Sequence, residues 1–145
     1  MGRFRAHHIA ALVEQATRLS KTPLATNQFE YHPFLRQTTV LDATRQTGMA
    51  VTAYCGMAVG RVFKSSTLLE IAANHSKSVA QIVLRWLVQQ KSVVALSRST
   101  SPERVANNID VFEFSLAPDE MAAVSALARP GSRVVDPPQL APEWD

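Results

Sequence analysis

The run Ser97-Arg98-Ser99-Thr100-Ser101-Pro102-Glu103-Arg104 sets two guanidiniums and several hydroxyls around one helix start. Ser101 reads as the N-cap and Pro102 as the first helical residue. The free amides of such a first turn favour an anion, and arginine pairs bidentately with phosphate. The same residues admit a plainer reading, in which Ser99, Thr100 and Ser101 only cap the helix and the arginines are solvated. Two other polar or aromatic clusters directly follow apolar runs: Asn27-Gln28-Phe29-Glu30-Tyr31-His32 and Tyr54-Cys55-Gly56-Met57. Four histidines and one cysteine show no zinc spacing. Cys55 has no histidine or lysine near it in sequence to activate the thiol and reads as unreactive.

These clusters need elements to position them. Ile9, Leu12, Val13, Ala16 and Leu19 recur at helical spacing and predict a helix over 8–19, stopped by Lys21-Thr22-Pro23. A strand is expected over 24–29, then a loop at Tyr31-His32-Pro33. A helix follows over 38–46, with Gly48 as its C-cap, and an apolar strand over 50–54. Residues 56–60 read as a glycine-flanked loop. A short helix is expected around Leu68, Leu69, Ile71 and Ala72. Ser78 caps a longer one whose stripe is Val79, Ile82, Val83, Trp86 and Leu87. A third strand covers 93–96, a helix starts at Pro102, and Pro118-Asp119-Glu120 opens the last, with Met121, Val124 and Leu127 inward. His75 is expected to be exposed. Alternation of this kind implies parallel strands with right-handed crossovers. Strands apolar nearly throughout predict a sheet covered by helices. These polar and aromatic strand ends are then where a parallel α/β fold binds its ligand.

The chain has 145 residues, 46% hydrophobic and 19% charged, which fits one ordinary globular domain and argues against disorder. No stretch approaches the roughly 18 apolar residues of a membrane span. The N-terminus is basic without a continuous apolar run, so no signal peptide is expected. One cysteine suits a reducing cytosol. Eleven of the fifteen basic residues are arginines and the net charge is +3. They are scattered, whereas a nucleic-acid surface would gather them on one face. A complete (β/α)8 barrel takes about 250 residues, so this chain is too short for one.

The string Asn27-Gln28-Phe29-Glu30-Tyr31-His32-Pro33 resembles the N-Q-x-E-Y-H-P signature of the aldo-keto reductases. Val51-Thr52-Ala53-Tyr54, Ala80-Gln81 through Leu84-Arg85-Trp86, the segment Ser99 to Val105 with Asn108, and Phe112-Glu113-Phe114 with Leu116 and Met121 recur in that family in the same order. The similarity runs from about residue 9 to about residue 133 and looks closest to the bacterial diketogluconate-type reductases. It implies an α/β fold that is part of a (β/α)8 TIM barrel: the C-terminal half, about three parallel strands with flanking helices. It also implies an NADPH (NADP) cofactor and a carbonyl substrate. Residue by residue, Gln28 is implied to hold the nicotinamide carboxamide and Tyr54 to stack on the nicotinamide ring. Cys55, Gly56 and Met57 replace a Ser-Pro-Leu run along the pyrophosphate. Arg98, in place of a lysine, and Ser99 face the adenosine 2′-phosphate, with Thr100 beside them. Arg104 clasps that phosphate and covers the adenine. Asn108 contacts the adenine, and Asn107 stands where the family has glutamate.

The departures are as informative. The family's catalytic aspartate, tyrosine, lysine and histidine have no counterpart here, and Tyr31 and His32 belong to a structural block. Where the family reads G-V-S-N-F this chain reads Gly2-Arg3-Phe4-Arg5-Ala6, without the Ser-Asn pair that holds the carboxamide. Trp144 falls in a segment that reaches the substrate mouth in the family. The expectation is one domain over 1–145 with an irregular tail over 130–145, cytoplasmic, without nucleic-acid or membrane partners. Three readings remain open. The chain is the NADP(H)-binding half of a reductase, inactive alone and acting on a small carbonyl only in a completed barrel. It is a non-catalytic module that pairs as a homodimer or with a separate N-terminal half. Or it is a truncated gene remnant.

Overall fold

The computed structural model describes residues 9–136. The elements are α1 (Ala10–Leu19), β1 (Thr26–Glu30), α2 (Thr38–Gln46), β2 (Ala50–Tyr54), a 3-10 segment (Ala58–Lys64), α3 (Ser66–Asn74), α4 (Val79–Val88), β3 (Val93–Ala95), α5 (Pro102–Ile109) and α6 (Pro118–Ser125). The three strands form one parallel sheet in the order β1-β2-β3. Glu30 stands opposite Tyr54, and Gln28 opposite Thr52.

Alternation along each strand gives the sheet two unlike faces. Asn27, Phe29, Val51, Ala53 and Val93 are buried on one face. The other carries Thr26, Gln28, Glu30, Thr52, Tyr54 and Val94, of which Val94 is half exposed and Glu30 alone is fully buried. Among the described residues, then, helices cover one face only. The expected covering of helices is present on that one face, and Thr52 and Val94 are β-formers whether or not anything covers them.

α4 supplies the centre of the covering layer. Ser78 Oγ accepts from the Gln81 amide, and the Gln81 side chain accepts from the Ser78 amide, a reciprocal capping box. Its apolar stripe places Ile82, Val83 and Leu87 at zero exposure, each side chain contributing about 1.5–3 kcal/mol of burial. α2 ends in a Schellman turn: the Gly48 amide donates to Arg45 O and the Met49 amide to Thr44 O, with Gly48 at φ +77°.

Within the glycine-flanked stretch 56–60, expected to be a loop, the chain already enters a 3-10 segment at Ala58. Two tight turns, Ala58 N–H to Cys55 O and Gly60 N–H to Met57 O, lead into the 3-10 segment. They hold Val59 at φ 52°, a conformation that costs a β-branched residue of order 1–3 kcal/mol. Ala58 and Val62, both fully buried, fix the turn against that strain. His75 is also less exposed than expected: as the C-cap of α3 it meets both Glu120 carboxylate oxygens at 2.9 Å. No described helix is long and apolar enough to cross a membrane. Gly2 to Ala6 and Trp144 lie outside the described residues.

Candidate functional site

Beyond the carboxyl end of β3, the chain turns into α5 through the predicted caps. Ser101 Oγ accepts from the Arg104 amide at 3.4 Å, and Ser99 Oγ accepts from the Ser101 amide at 3.2 Å. Asn108 Nδ2 donates to Ser97 Oγ at 2.8 Å, tying the last turn of α5 to the end of β3. A cleft of about 510 Å³ opens here, lined by Met57, Phe63, Ser78, Ala80, Ser97, Arg98, Ser99, Arg104, Asn107 and Asn108. Arg98, Arg104 and Asn107 are exposed, and no described carboxylate pairs with either guanidinium. The serines therefore do cap the helix, and the arginines also line a cavity with their charge unmatched. The two readings of this segment coexist.

Six of the expected residues meet in that cleft: Met57, Arg98, Ser99, Arg104, Asn107 and Asn108. Thr100 is exposed at the head of α5 and does not line it. Gln28 and Tyr54 sit apart, on the open face of the sheet. Tyr54 is partly buried; burial, and then the charge of Glu30, push its hydroxyl above the usual range. Cys55 follows at φ 60°, and burial pushes its thiol up, which keeps it a poor nucleophile. Gly56 is buried so close to α4 that a Cβ there would stand 3.0 Å from Leu87 Cδ1. Phe63, Ser78 and Ala80 were missed. They come from the 3-10 segment and the start of α4, and only tertiary packing brings them here.

At the carboxyl end of β1 the polar groups are closed in. Tyr31 donates to Gln90 Oε1 at 2.8 Å and packs against Trp86 with ring centroids 5.1 Å apart. His32 Nδ1 accepts from the Phe34 amide at 3.3 Å, so the proton is on Nε2, which donates to Glu30 Oε1 at 2.9 Å. Glu30 and His32 have zero exposure. Burial pushes the Glu30 carboxyl up, but hydrogen bonds from His32, Val134 and Val135 outweigh it and hold the group below the usual carboxylate range. A larger recess of about 580 Å³ lies between the N-terminal turn of α2 and residues 128–136. Its wall includes Arg129, but that guanidinium is engaged with the Ala126 and Ala128 carbonyls. Among the described residues no group of three or more His, Cys, Asp or Glu side chains could hold a metal ion.

A parallel sheet clad on one face, with its polar loops at the carboxyl ends of the strands, is a sector of a β/α barrel. The sequence matches the model of the aldo/keto reductase family over residues 5–129, and the chain belongs to that family. An aldo-keto reductase of Mycobacterium bovis is 38% identical over 135 residues, 93% of this chain and 46% of the relative. A crystal structure of a protein provisionally assigned as a 2,5-diketo-D-gluconic acid reductase B is 50% identical, with TM-score 0.92, over 94% of this chain and 49% of that one. A single-residue variant of Gox0644 in complex with NADPH is 28% identical, with TM-score 0.82, over 90% of this chain and 48% of that one. The chain thus spans about half the length of the relatives it matches.

Proposed function

We propose that this chain binds NADP(H) through the β3–α5 cleft and forms the nucleotide-holding part of a carbonyl reductase. The observation that carries the reading is the cleft itself: Met57 from one loop and five residues between Arg98 and Asn108 line a cavity with two unmatched guanidiniums at a helix N-terminus. That donor set fits a phosphomonoester. Arg98, Ser99 and Arg104, with Thr100 at the rim, would hold the adenosine 2′-phosphate, and Asn107 and Asn108 the adenine. Cys55, Gly56 and Met57 would follow the pyrophosphate, and Gln28 and Tyr54 would receive the nicotinamide on the open sheet face. NADPH supplies hydride to a carbonyl carbon.

No turnover is expected from these 145 residues alone. The sequence has no matched general acid for the developing alkoxide, and such catalysis is worth roughly 10²–10⁴-fold. The open sheet face favours a second element of the reading. We assign it to completion of the barrel, by a complementing N-terminal half or by a second copy of the chain, in the cytoplasm. Light scattering tests this: a sharp 16 kDa monomer with cooperative unfolding would oppose it.

Calorimetric titration of wild type and Arg104→Ala with NADPH, NADH and 2′,5′-ADP tests the nucleotide assignment. Loss of Arg104 should cost about 1.5–3 kcal/mol for NADPH, the range for bonds to charged groups, and far less for NADH. 2′,5′-ADP should bind nearly as well as NADPH. Equal wild-type affinity for NADPH and NADH would reduce the cleft to a capped helix.

A further inference from the structure

The nucleotide cleft makes no use of the buried carboxylate at the end of β1. Glu30 Oε1 accepts the Val134 amide at 2.8 Å, and Oε2 accepts the Val135 amide at 2.9 Å. These are two consecutive backbone donors more than a hundred residues downstream. Three further bonds hold the same segment down. The Arg129 amide donates to Phe34 O at 3.0 Å, Arg61 Nη1 to Ser132 O at 3.3 Å, and Arg133 Nη2 to Gln37 Oε1 at 3.5 Å. Gln37 Nε2 in turn donates to the Glu30 carbonyl at 2.8 Å. Residues 129–135 have no helix or strand of their own. Apart from Ser132 they are not buried, so polar contacts rather than apolar burial keep them in place.

A glutamate buried at this point is costly unless its lone pairs are filled. His32 fills one, and the two downstream amides fill two more. We infer that Glu30 is the catch of a strap: residues 129–135 close over the carboxyl end of β1 when the Val134 and Val135 amides seat on its carboxylate, and they release together when they do not. Glu30 stands opposite Tyr54 in the sheet register, so the strap closes beside Tyr54. Resting on the nucleotide reading above, the strap then orders the nicotinamide end of the site and leaves the adenosine end alone.

Trypsin reads the strap directly in the full 145-residue chain, because the Arg133–Val134 bond lies within it. Cleavage after Arg129 is blocked by Pro130. Glu30→Gln turns one acceptor oxygen into a donor facing an amide. It should speed cleavage at Arg133 about ten-fold or more, since cleavage tracks the opened population, while the exposed Lys91–Ser92 bond is cut at its wild-type rate. Unchanged cleavage at Arg133 overturns the proposal. If both bonds are cut faster, the variant has lost its fold, and Val135→Pro decides. That change removes one strap donor and leaves β1 intact: faster cleavage at Arg133 alone supports the catch, and an unchanged rate sinks it. Affinity for 2′,5′-ADP should be the same in wild type and Glu30→Gln. A wild type that binds no nucleotide would defeat the proposed function and leave the protease result standing.

Discussion

The carboxyl ends of β1 and β3 are both polar, and the protein treats them in opposite ways. At β1, Glu30 and His32 are completely buried and bonded to each other, and the Glu30 carboxylate also accepts two amides from more than a hundred residues downstream. At β3, Arg98, Arg104 and Asn107 are exposed, and among the described residues the side-chain bonds nearby are short-range ones involving serines and Asn108. α5 itself buries no residue. One end is over-determined by its own contacts and holds the fold; the other has long cationic side chains with nothing to hold. Catalytic and binding residues sit on loops over a rigid scaffold for this reason.

The buried end is the more sensitive of the two to substitution. Phe29 is fully enclosed beside Glu30 and packs with Tyr31 at a centroid distance of 6.3 Å. Phe29→Ala should cost about 3–5 kcal/mol in urea unfolding, because the cavity cannot collapse between the sheet and its helices. A loss under about 1 kcal/mol would mean that this end is looser than its burial implies.

Acid attacks the same end through one group. The Glu30 carboxyl titrates below its usual value in the folded chain, mainly because its hydrogen bonds prevail over burial. Above the ordinary carboxylate pKa, near 4.3, both states are ionised and the stabilisation is complete. As pH falls, the unfolded chain takes up the proton first, so stability declines until pH passes through the folded pKa. Urea midpoints measured from pH 7 to 3 should fall with acid, and Glu30→Gln should flatten that slope. An identical slope in the variant would show that other carboxylates carry the acid dependence.

Between the two ends lies the capping box of α4. Ser78 caps the helix whose stripe of Ile82, Val83 and Leu87 covers the sheet. Ser78→Ala should cost about 1 kcal/mol, read as a drop in thermal midpoint. This element was legible from sequence because its signals are local: a serine, a glutamine three residues on, and a stripe at 3.6 spacing. The Schellman glycine at 48 and the Ser101-Pro102 start of α5 were legible for the same reason. The turn at 55–60 was not. Nothing local announces a valine at φ 52°, and only the burial of Ala58 and Val62 accounts for it. The strap was invisible too, since Glu30 reads as one residue of a motif while its partners are ordinary valines far downstream. Of the candidate site, Arg98 to Asn108 could be read because strand end, cap and guanidiniums lie within a dozen residues. Phe63, Ser78 and Ala80 could not.

The smallest effect is the sharpest test of the contrast. Arg104 is exposed on a helix with no fully buried residue, and no described carboxylate pairs with its guanidinium. What α5 takes from this position is the backbone amide that donates to Ser101 Oγ, and alanine keeps that amide. Alanine also has the higher helix propensity, by a few tenths of a kcal/mol at most. Arg104→Ala should therefore leave the urea midpoint within about 0.5 kcal/mol of wild type, the usual range for surface substitutions away from special features. The same variant is expected to lose most of its discrimination between NADPH and NADH. A side chain that matters to a ligand and not to the fold is the mark of a binding surface. If Arg104→Ala instead lowers stability by 1 kcal/mol or more, the guanidinium is packing α5 onto the body of the protein, and its place in the cleft is structural.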